Sequence, residues 1–114
     1  MSRFARRVDD NHAQVVAMFR ALGCSVASTA NVGAGFPDLA VGLGGKTHLV
    51  EVKDGRKVPS ARKLTRLEEE FRDRWRGGWH LVECREDVVA LVEGWRSVGV
   101  QDFDASDYER PAKP

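Results

Sequence analysis

The chain has 114 residues, of which 42% are hydrophobic and 31% are charged, proportions that fit one folded domain and exclude a disordered protein. No apolar run reaches the roughly 18 residues of a membrane span, and no apolar stretch of a secretory signal follows the first arginines, so we expect a cytoplasmic protein without a membrane partner. Two cysteines exclude a disulfide framework, and a net charge of +1 does not by itself indicate nucleic-acid binding.

One helix and three strands are predicted in the first half of the chain. Apolar residues at helical spacing predict the helix, which Asp9 or Asp10 can cap and which Gly23 ends. The second and third strands follow an alternating pattern, and Gly44-Gly45 between them is a hairpin signal. The predicted bounds are 9–22 for the helix and 25–29, 38–43 and 47–53 for the strands.

The second half is predicted to add a helix, a fourth strand and a last helix. Thr65 and Glu68 form a capping box, and the helix that it opens carries an apolar stripe as far as Trp75 and is predicted to end at Gly77-Gly78. The predicted bounds of the last two elements are 79–84 and 87–98. The order is therefore αβββαβα. We expect one domain over residues 1–98 and an acidic, loosely ordered tail over 99–114.

Two acids and a lysine stand at the facing ends of the second and third strands. Asp38 shares its strand face only with Ala40 and Gly42, which leaves space beside the carboxylate. The hairpin brings Asp38 to Glu51, and Lys53 lies on the same face as Glu51 because it follows two residues later. Two carboxylates can hold Mg²⁺, and a lysine can stabilise charge on phosphorus. This layout is typical of a metal-dependent phosphodiesterase site.

Further roles at this site follow from the same strand. The backbone carbonyl of Val52 is a candidate oxygen ligand because it lies between Glu51 and Lys53. Lys53 can either orient the attacking water or neutralise the charge on phosphorus, and the sequence leaves both roles open. The structural alternatives are solubilising surface charges and a buried Glu51–Lys53 ion pair. We adopt the catalytic interpretation, since acids on one face of a small sheet indicate function more often than stability.

A basic segment follows the site. Residues 53–76 contain nine Lys or Arg and five Asp or Glu, a local excess of +4. Such an excess fits a phosphate backbone running past the site, and it equally fits a solvated helix face of mixed charge. The candidates for phosphate contacts are Arg56, Lys57, Arg62 and Lys63. The three tryptophans occupy apolar positions and are interpreted as core or dimer contacts rather than base-stacking platforms.

The chain resembles the PD-(D/E)XK nuclease superfamily, and more narrowly its VRR-NUC and phage Holliday-junction-resolvase-like group. The resemblance covers roughly residues 8–95. It is carried by four stretches, VDDNH (8–12), GAGFPDLAVG (33–42), LVEVKDG (49–55) and ARKLTRLEEEF (61–71). It implies an α/β protein with a restriction-endonuclease-like core, a small mixed sheet flanked by helices.

The resemblance also implies an activity. Members of this group are endonucleases that use Mg²⁺ or Mn²⁺ to hydrolyse phosphodiester bonds of branched DNA, and the matching catalytic residues are Asp38, Glu51 and Lys53. The resemblance also implies a homodimer or higher homo-oligomer, because two symmetric strands must be cut. Two alternatives stay open: a nicking or restriction-like nuclease on duplex DNA, and a DNA-binding module with weakened catalysis.

The first helix departs from the pattern of the group. Related nucleases often supply another acid there, and the matching residue is Gln14, whose amide oxygen can bind a metal but adds no charge. Asp9 and Asn11 are expected either to lie near the site or to cap the helix. Gln14 is the main support for the DNA-binding alternative.

Overall fold

The computed structural model describes residues 11–102, and their side chains as far as residue 97. The elements follow the predicted order, with one short 3-10 turn added at Pro59–Ala61. Their bounds are α1 His12–Ala21, β1 Ser25–Ser28, β2 Leu39–Leu43, β3 Lys46–Val52, α2 Arg66–Arg74, β4 Trp79–Val82 and α3 Arg85–Asp102. The last helix thus continues past residue 99, where the tail was predicted to begin. The rest of that tail, with Asp9 and Asp10, lies outside the described residues.

The strands form one mixed sheet in the order β1-β2-β3-β4. β1 pairs antiparallel with β2, and β2 pairs antiparallel with β3 across the predicted Gly44-Gly45 hairpin. β4 lies parallel to β3, and the segment that contains α2 makes the long crossover that parallel neighbours need. The prediction of an α/β protein with a small mixed sheet flanked by helices is confirmed.

The hydrophobic core lies between one face of the sheet and the helices α1 and α3. Phe19 of α1 is fully buried and stacks on Trp95 of α3, with ring centroids 5.9 Å apart. Alternate residues of the strands point toward the helices and supply the remaining apolar side chains of the core. The buried apolar residues of this cluster are Val15, Phe19, Cys24, Leu39, Val41, Val50, Val52, Val82, Val88 and Val92. Asp38, Glu51 and Lys53 are each next in sequence to a core residue of β2 or β3, so they belong to the opposite face of the sheet.

A pair of histidines closes the core at the edge formed by β3 and β4. His48 stacks on Trp95 with ring centroids 3.9 Å apart, and His80 lies 5.5 Å from His48. Burial lowers the pKa of both histidines, and for His48 the charges of His80 and Lys46 lower it further. The pair is therefore held in its neutral form near pH 7, as packing in the core requires.

None of the helices within residues 11–102 combines the length and the apolar character that a membrane span requires.

Candidate functional site

Asp38 is fixed at the entrance of β2 by the neighbouring strand. Its Oδ2 accepts a hydrogen bond of 2.9 Å from the backbone N–H of Val52. The antiparallel register pairs Leu39 with Val50, and one step further along that register places Asp38 opposite Glu51. The residue is 5% exposed. The predicted approach of Asp38 to Glu51 is confirmed, and Val52, the predicted carbonyl ligand, lies beside them.

Glu51 is a buried acid in an environment that disfavours its charge. It is 1% exposed. Burial raises its pKa to about 10, and a hydrogen bond to Asp38 and the charges of Asp38 and Glu68 act in the same direction, with Lys53 opposing them. Its Oε1 atom is buried and has no hydrogen-bond partner within the described part of the chain. Glu51 is therefore protonated near pH 7 when no cation is bound, and a cation would have to displace this proton in order to bind the carboxylate.

Lys53 is held by an acid that the sequence analysis assigned only to a helix cap. Its Nζ lies 2.9 Å from Oε1 of Glu68, in an ion pair whose side chains are 11% and 6% exposed. The same Oε1 accepts the N–H of Thr65 at 2.8 Å, which closes the predicted capping box. Burial acts to raise the pKa of Glu68, but the bonds from Thr65 and Lys53 outweigh it, and the net pKa is lowered. Glu68 is thus a third acid of the site.

Glu68 reaches the site because the loop before β2 lets α2 approach. Gly35 has φ +80°, and a side-chain carbon at this position would overlap the backbone carbonyl of Leu67. Phe36 packs edge-on against Phe71 of α2, with centroids 5.1 Å apart. The loop that leads into Asp38 therefore also sets the position of the first turn of α2.

We expect Gly35→Ala to displace the start of α2 and to lower the free energy of unfolding by about 2–4 kcal/mol, the sum of left-handed backbone strain and overlap with a neighbouring backbone. Urea denaturation measures this loss. Gly33→Ala is the matched control, because Gly33 has φ +82° but nothing within 4 Å of an added carbon. Equal losses in the two variants would show that contact between the loop and α2 contributes nothing.

Asn11 precedes α1, but its side chain makes no capping hydrogen bond. Its amide instead donates to the backbone carbonyl of Lys53 at 3.0 Å and to that of Glu83 at 3.3 Å. Asn11 is 6% exposed, so these bonds are shielded from water. It therefore joins the start of α1 to the ends of β3 and β4. Of the two alternatives for Asn11, the structure favours a position next to the site.

Gln14 is exposed on α1, one turn after Asn11. It lines a cavity of about 680 Å³ between the start of α1, the loop after β3 and the start of α3. Asp54, Arg56 and Glu83 line the same cavity, whereas Asp38 and Glu51 are not among its described lining residues. The structure thus brings Asp38, Glu51, Val52 and Lys53 together, and it gives Gln14 no contact with them among the bonds of the described residues.

Two of the four predicted phosphate contacts are engaged in ion pairs. Arg56 binds Asp54 through two nitrogens, at 3.0 and 2.8 Å, and these bonds lower the pKa of Asp54 to about 2. Arg62 bonds to Glu83 at 2.8 Å and to the carbonyl of Lys57 at 3.0 Å. These contacts fix the basic loop to the end of the sheet. Arg56 keeps 70% of its side chain exposed, so it still presents positive charge to solvent.

The other two predicted phosphate contacts differ in accessibility. Lys63 is exposed and stands just before the capping box, whereas Lys57 is only half-exposed. Both belong to the segment between β3 and α2, which begins with Lys53 of the candidate site. The contact that the structure shows between the basic segment and the site is the ion pair of Lys53 with Glu68.

The donor set fits a divalent cation of the magnesium type. Within residues 11–102, no three His, Cys, Asp or Glu side chains are arranged to coordinate a metal ion on their own. Mg²⁺ does not need such a cage, because it keeps several waters and commonly binds one or two carboxylates together with substrate phosphate. The buried Oε1 of Glu51, which has no hydrogen-bond partner among residues 11–102, lies beside Asp38 and is the position that a cation would satisfy.

Comparison of the chain with protein-family models, with curated proteins and with solved structures finds no match.

Proposed function

We propose that this protein is a metal-dependent endonuclease that hydrolyses phosphodiester bonds in DNA. The observation that carries the proposal is the pairing of Asp38 with a buried Glu51 whose Oε1 has no partner in the described chain, next to an oriented lysine. A buried acid with a strongly raised pKa costs stability, and such perturbed acids are concentrated at functional sites. The resemblance to the PD-(D/E)XK superfamily and its restriction-endonuclease-like core supports the same conclusion.

Asp38 and Glu51 would hold the cation, Mg²⁺ or Mn²⁺, with the carbonyl of Val52 as a further oxygen donor. When bound, the cation supplies a water of lowered pKa and polarises the scissile phosphate. The hydrogen bond from the Val52 N–H holds the carboxylate of Asp38 in place beside Glu51. Glu51 must release its proton before it can act as a ligand, so cation binding at neutral pH is coupled to proton release.

Lys53 acts from a fixed position. Its bond of 2.9 Å to Glu68 holds the ammonium group in a shielded site, where a charge is more effective than in water. From there it either orients the attacking water or neutralises the charge that develops on phosphorus. Glu68 is a positioning residue for Lys53 in both cases.

DNA is the substrate class that the surrounding charges favour. The segment from 53 to 76 carries a local excess of +4, and it begins at Lys53 of the site. No base-reading element is implied, so the contacts are assigned to the phosphate backbone. Branched DNA and a homodimer or higher homo-oligomer are proposed from the resemblance, since symmetric incision of a junction needs two sites.

A panel of labelled four-way junction, flap, nicked and linear duplex DNA tests this proposal. We expect cutting with Mg²⁺ or Mn²⁺, none with EDTA, and the fastest cutting on the junction, at symmetric positions in opposite strands. Faster cutting of linear or nicked duplex would establish the nicking or restriction-like alternative instead. Intact substrates under every metal condition would reject a nuclease.

A DNA-binding module without catalysis is the second candidate, and the position of Gln14 favours it. Gln14 adds no charge to the site, and no hydrogen bond joins it to Asp38 or Glu51 among the described residues. Titration calorimetry separates the two proposals. Tight DNA binding with no heat on addition of Mn²⁺ would support the module, whereas one Mn²⁺ site that depends on Asp38 supports the enzyme.

A further inference from the structure

Three aromatic side chains form a continuous stack that leads away from the candidate site. Phe36 contacts Phe71 edge-on at 5.1 Å between centroids, and Phe71 stacks on Trp75 at 5.2 Å with an angle of 21° between the rings. We call these residues the aromatic column. Its outer member, Trp75, is 43% exposed. A tryptophan exposed to this extent is not a core residue, and its ring is accessible to a binding partner.

The exposed ring of Trp75 is held in one place. Its backbone N–H donates to the carbonyl of Phe71 at 2.9 Å, which ties it to the last turn of α2. Gly77 lies against the indole, and a side-chain carbon there would come within 2.8 Å of Nε1. The ring is therefore packed by Phe71 and by Gly77. A rigid aromatic surface binds a flat partner at low entropic cost.

Positive charge surrounds the same residue. Arg72, Arg74 and Arg76 are exposed, and Asp73 is the only acid between residues 72 and 76. The guanidinium of Arg72 lies over the ring of Trp79 at 5.9 Å and bonds to Asp73 at 3.0 Å. An aromatic ring among arginines is complementary to a base attached to a phosphate backbone, because the ring can stack on the base while the arginines bind the phosphates.

The separation of Trp75 from the candidate site corresponds to a few nucleotides of a bound strand. Glu68 contacts Lys53 at one end of α2, and Trp75 stands seven residues further along. At about 1.5 Å of rise per residue this separation is about 10 Å. A stacked strand advances about 3.4 Å per nucleotide, so the separation corresponds to about three nucleotides.

We propose that Trp75 is a stacking platform for an unpaired base about three nucleotides from the phosphate that is cut, with the flanking arginines binding the adjoining backbone. This inference rests on the proposed nuclease function for its distance to the cut, and it specifies the substrate further. Unpaired nucleotides near the cut, as in a flap or in a junction opened at its branch point, bind this surface, and fully paired duplex ends do not. The inference replaces the interpretation of Trp75 as a core or dimer contact.

The test compares the affinity of wild type and Trp75→Ala for a fluorescent single-stranded oligothymidylate and for a blunt duplex, in EDTA. Stacking of one base contributes about 1–3 kcal/mol, so we expect the variant to lose about 5- to 150-fold in affinity for the single strand. Affinity for the duplex is expected to stay unchanged. Trp75→Phe, which keeps an aromatic ring, is expected to recover most of the lost affinity.

Leu67→Ala is the matched control, because Leu67 is 46% exposed on the same helix but cannot stack on a base. No loss for the single strand, or equal losses for single strand and duplex, would overturn the inference. It would also be overturned if sedimentation showed that Trp75→Ala dissociates an oligomer and that affinity falls only with it.

The assay in EDTA needs no catalysis, so failure of the nuclease and failure of the stacking platform are distinguishable. Selective loss of single-strand affinity in a protein that never cuts DNA would support the platform and reject the nuclease. A protein that cuts DNA but binds both probes equally well with and without Trp75 would reject the platform alone.

Discussion

Lys53→Met is expected to slow DNA cleavage by about 100- to 1000-fold at saturating metal, because removal of one preorganised charge from a shielded site has effects of this size. The affinity for Mn²⁺ is expected to remain close to that of wild type, since Asp38 and Glu51 are unchanged. Single-turnover cleavage of a labelled substrate measures the rate, and calorimetry measures the metal affinity.

The variant needs two controls because Lys53 neutralises Glu68, which is 5% exposed. A buried carboxylate without its partner destabilises the fold, so the double variant Lys53→Met/Glu68→Gln is made to restore folding without restoring the charge. Lys46→Met controls for the loss of a lysine, because Lys46 is exposed at the opposite end of β3. Full activity in the double variant would contradict a catalytic role for Lys53.

Glu51→Gln is expected to abolish metal-dependent cleavage and to make the metal-free protein more stable. An amide has the shape of the protonated carboxyl group that the buried site favours, and it carries no charge at any pH. We expect the free energy of unfolding at pH 8 in EDTA to rise by about 1–3 kcal/mol. Opposite changes in activity and stability from one substitution would indicate a site that sacrifices stability for function.

The raised pKa of Glu51 also predicts how the stability difference between wild type and Glu51→Gln changes with pH. The pKa of Glu51 is about 10 in the folded protein and near its ordinary value of 4.5 in the unfolded chain. Between these values the folded state holds one more proton, so rising pH lowers the stability of the wild type through this group. The stability advantage of Glu51→Gln should therefore widen from pH 6 to pH 9. A constant or narrowing difference in urea denaturation would contradict a raised pKa.

Much of the site follows from local sequence rules. The Gly44-Gly45 hairpin and the alternation of β3 predict both the approach of Asp38 to Glu51 and the shared face of Glu51 and Lys53, and the register places them so. The capping box of α2 was also predicted, and both of its hydrogen bonds are present. These features depend on neighbours in sequence, so a single chain carries enough information to predict them.

The parts of the site that the sequence does not predict depend on contacts between segments that are distant in the chain. Glu68 fits a capping acid in sequence, and only the approach of α2 to Gly35 and Lys53 makes it part of the site. The bonds of Asn11 to the carbonyls of Lys53 and Glu83 join segments 42 and 72 residues apart. Neither contact has a local signature in the sequence.

Element ends were predicted less well than element types. α2 ends at Arg74 rather than at the glycine pair, because Trp75 turns to an extended backbone with ψ 130°. The apolar stripe of this helix is consequently not all buried, and Leu67 and Trp75 stay exposed. Helical spacing shows which residues share a face, but it does not show whether another element covers that face.

The most direct test of the central claim is Mn²⁺-dependent cleavage of a four-way junction by wild type and by Asp38→Asn. Asparagine keeps an oxygen that can accept the N–H of Val52, so the fold is preserved while the charge that would hold the cation is removed. We predict symmetric cuts by the wild type and no detectable product from the variant. Equal cutting by the two proteins, or none by the wild type with any metal, would contradict a metal-dependent nuclease centred on Asp38 and Glu51.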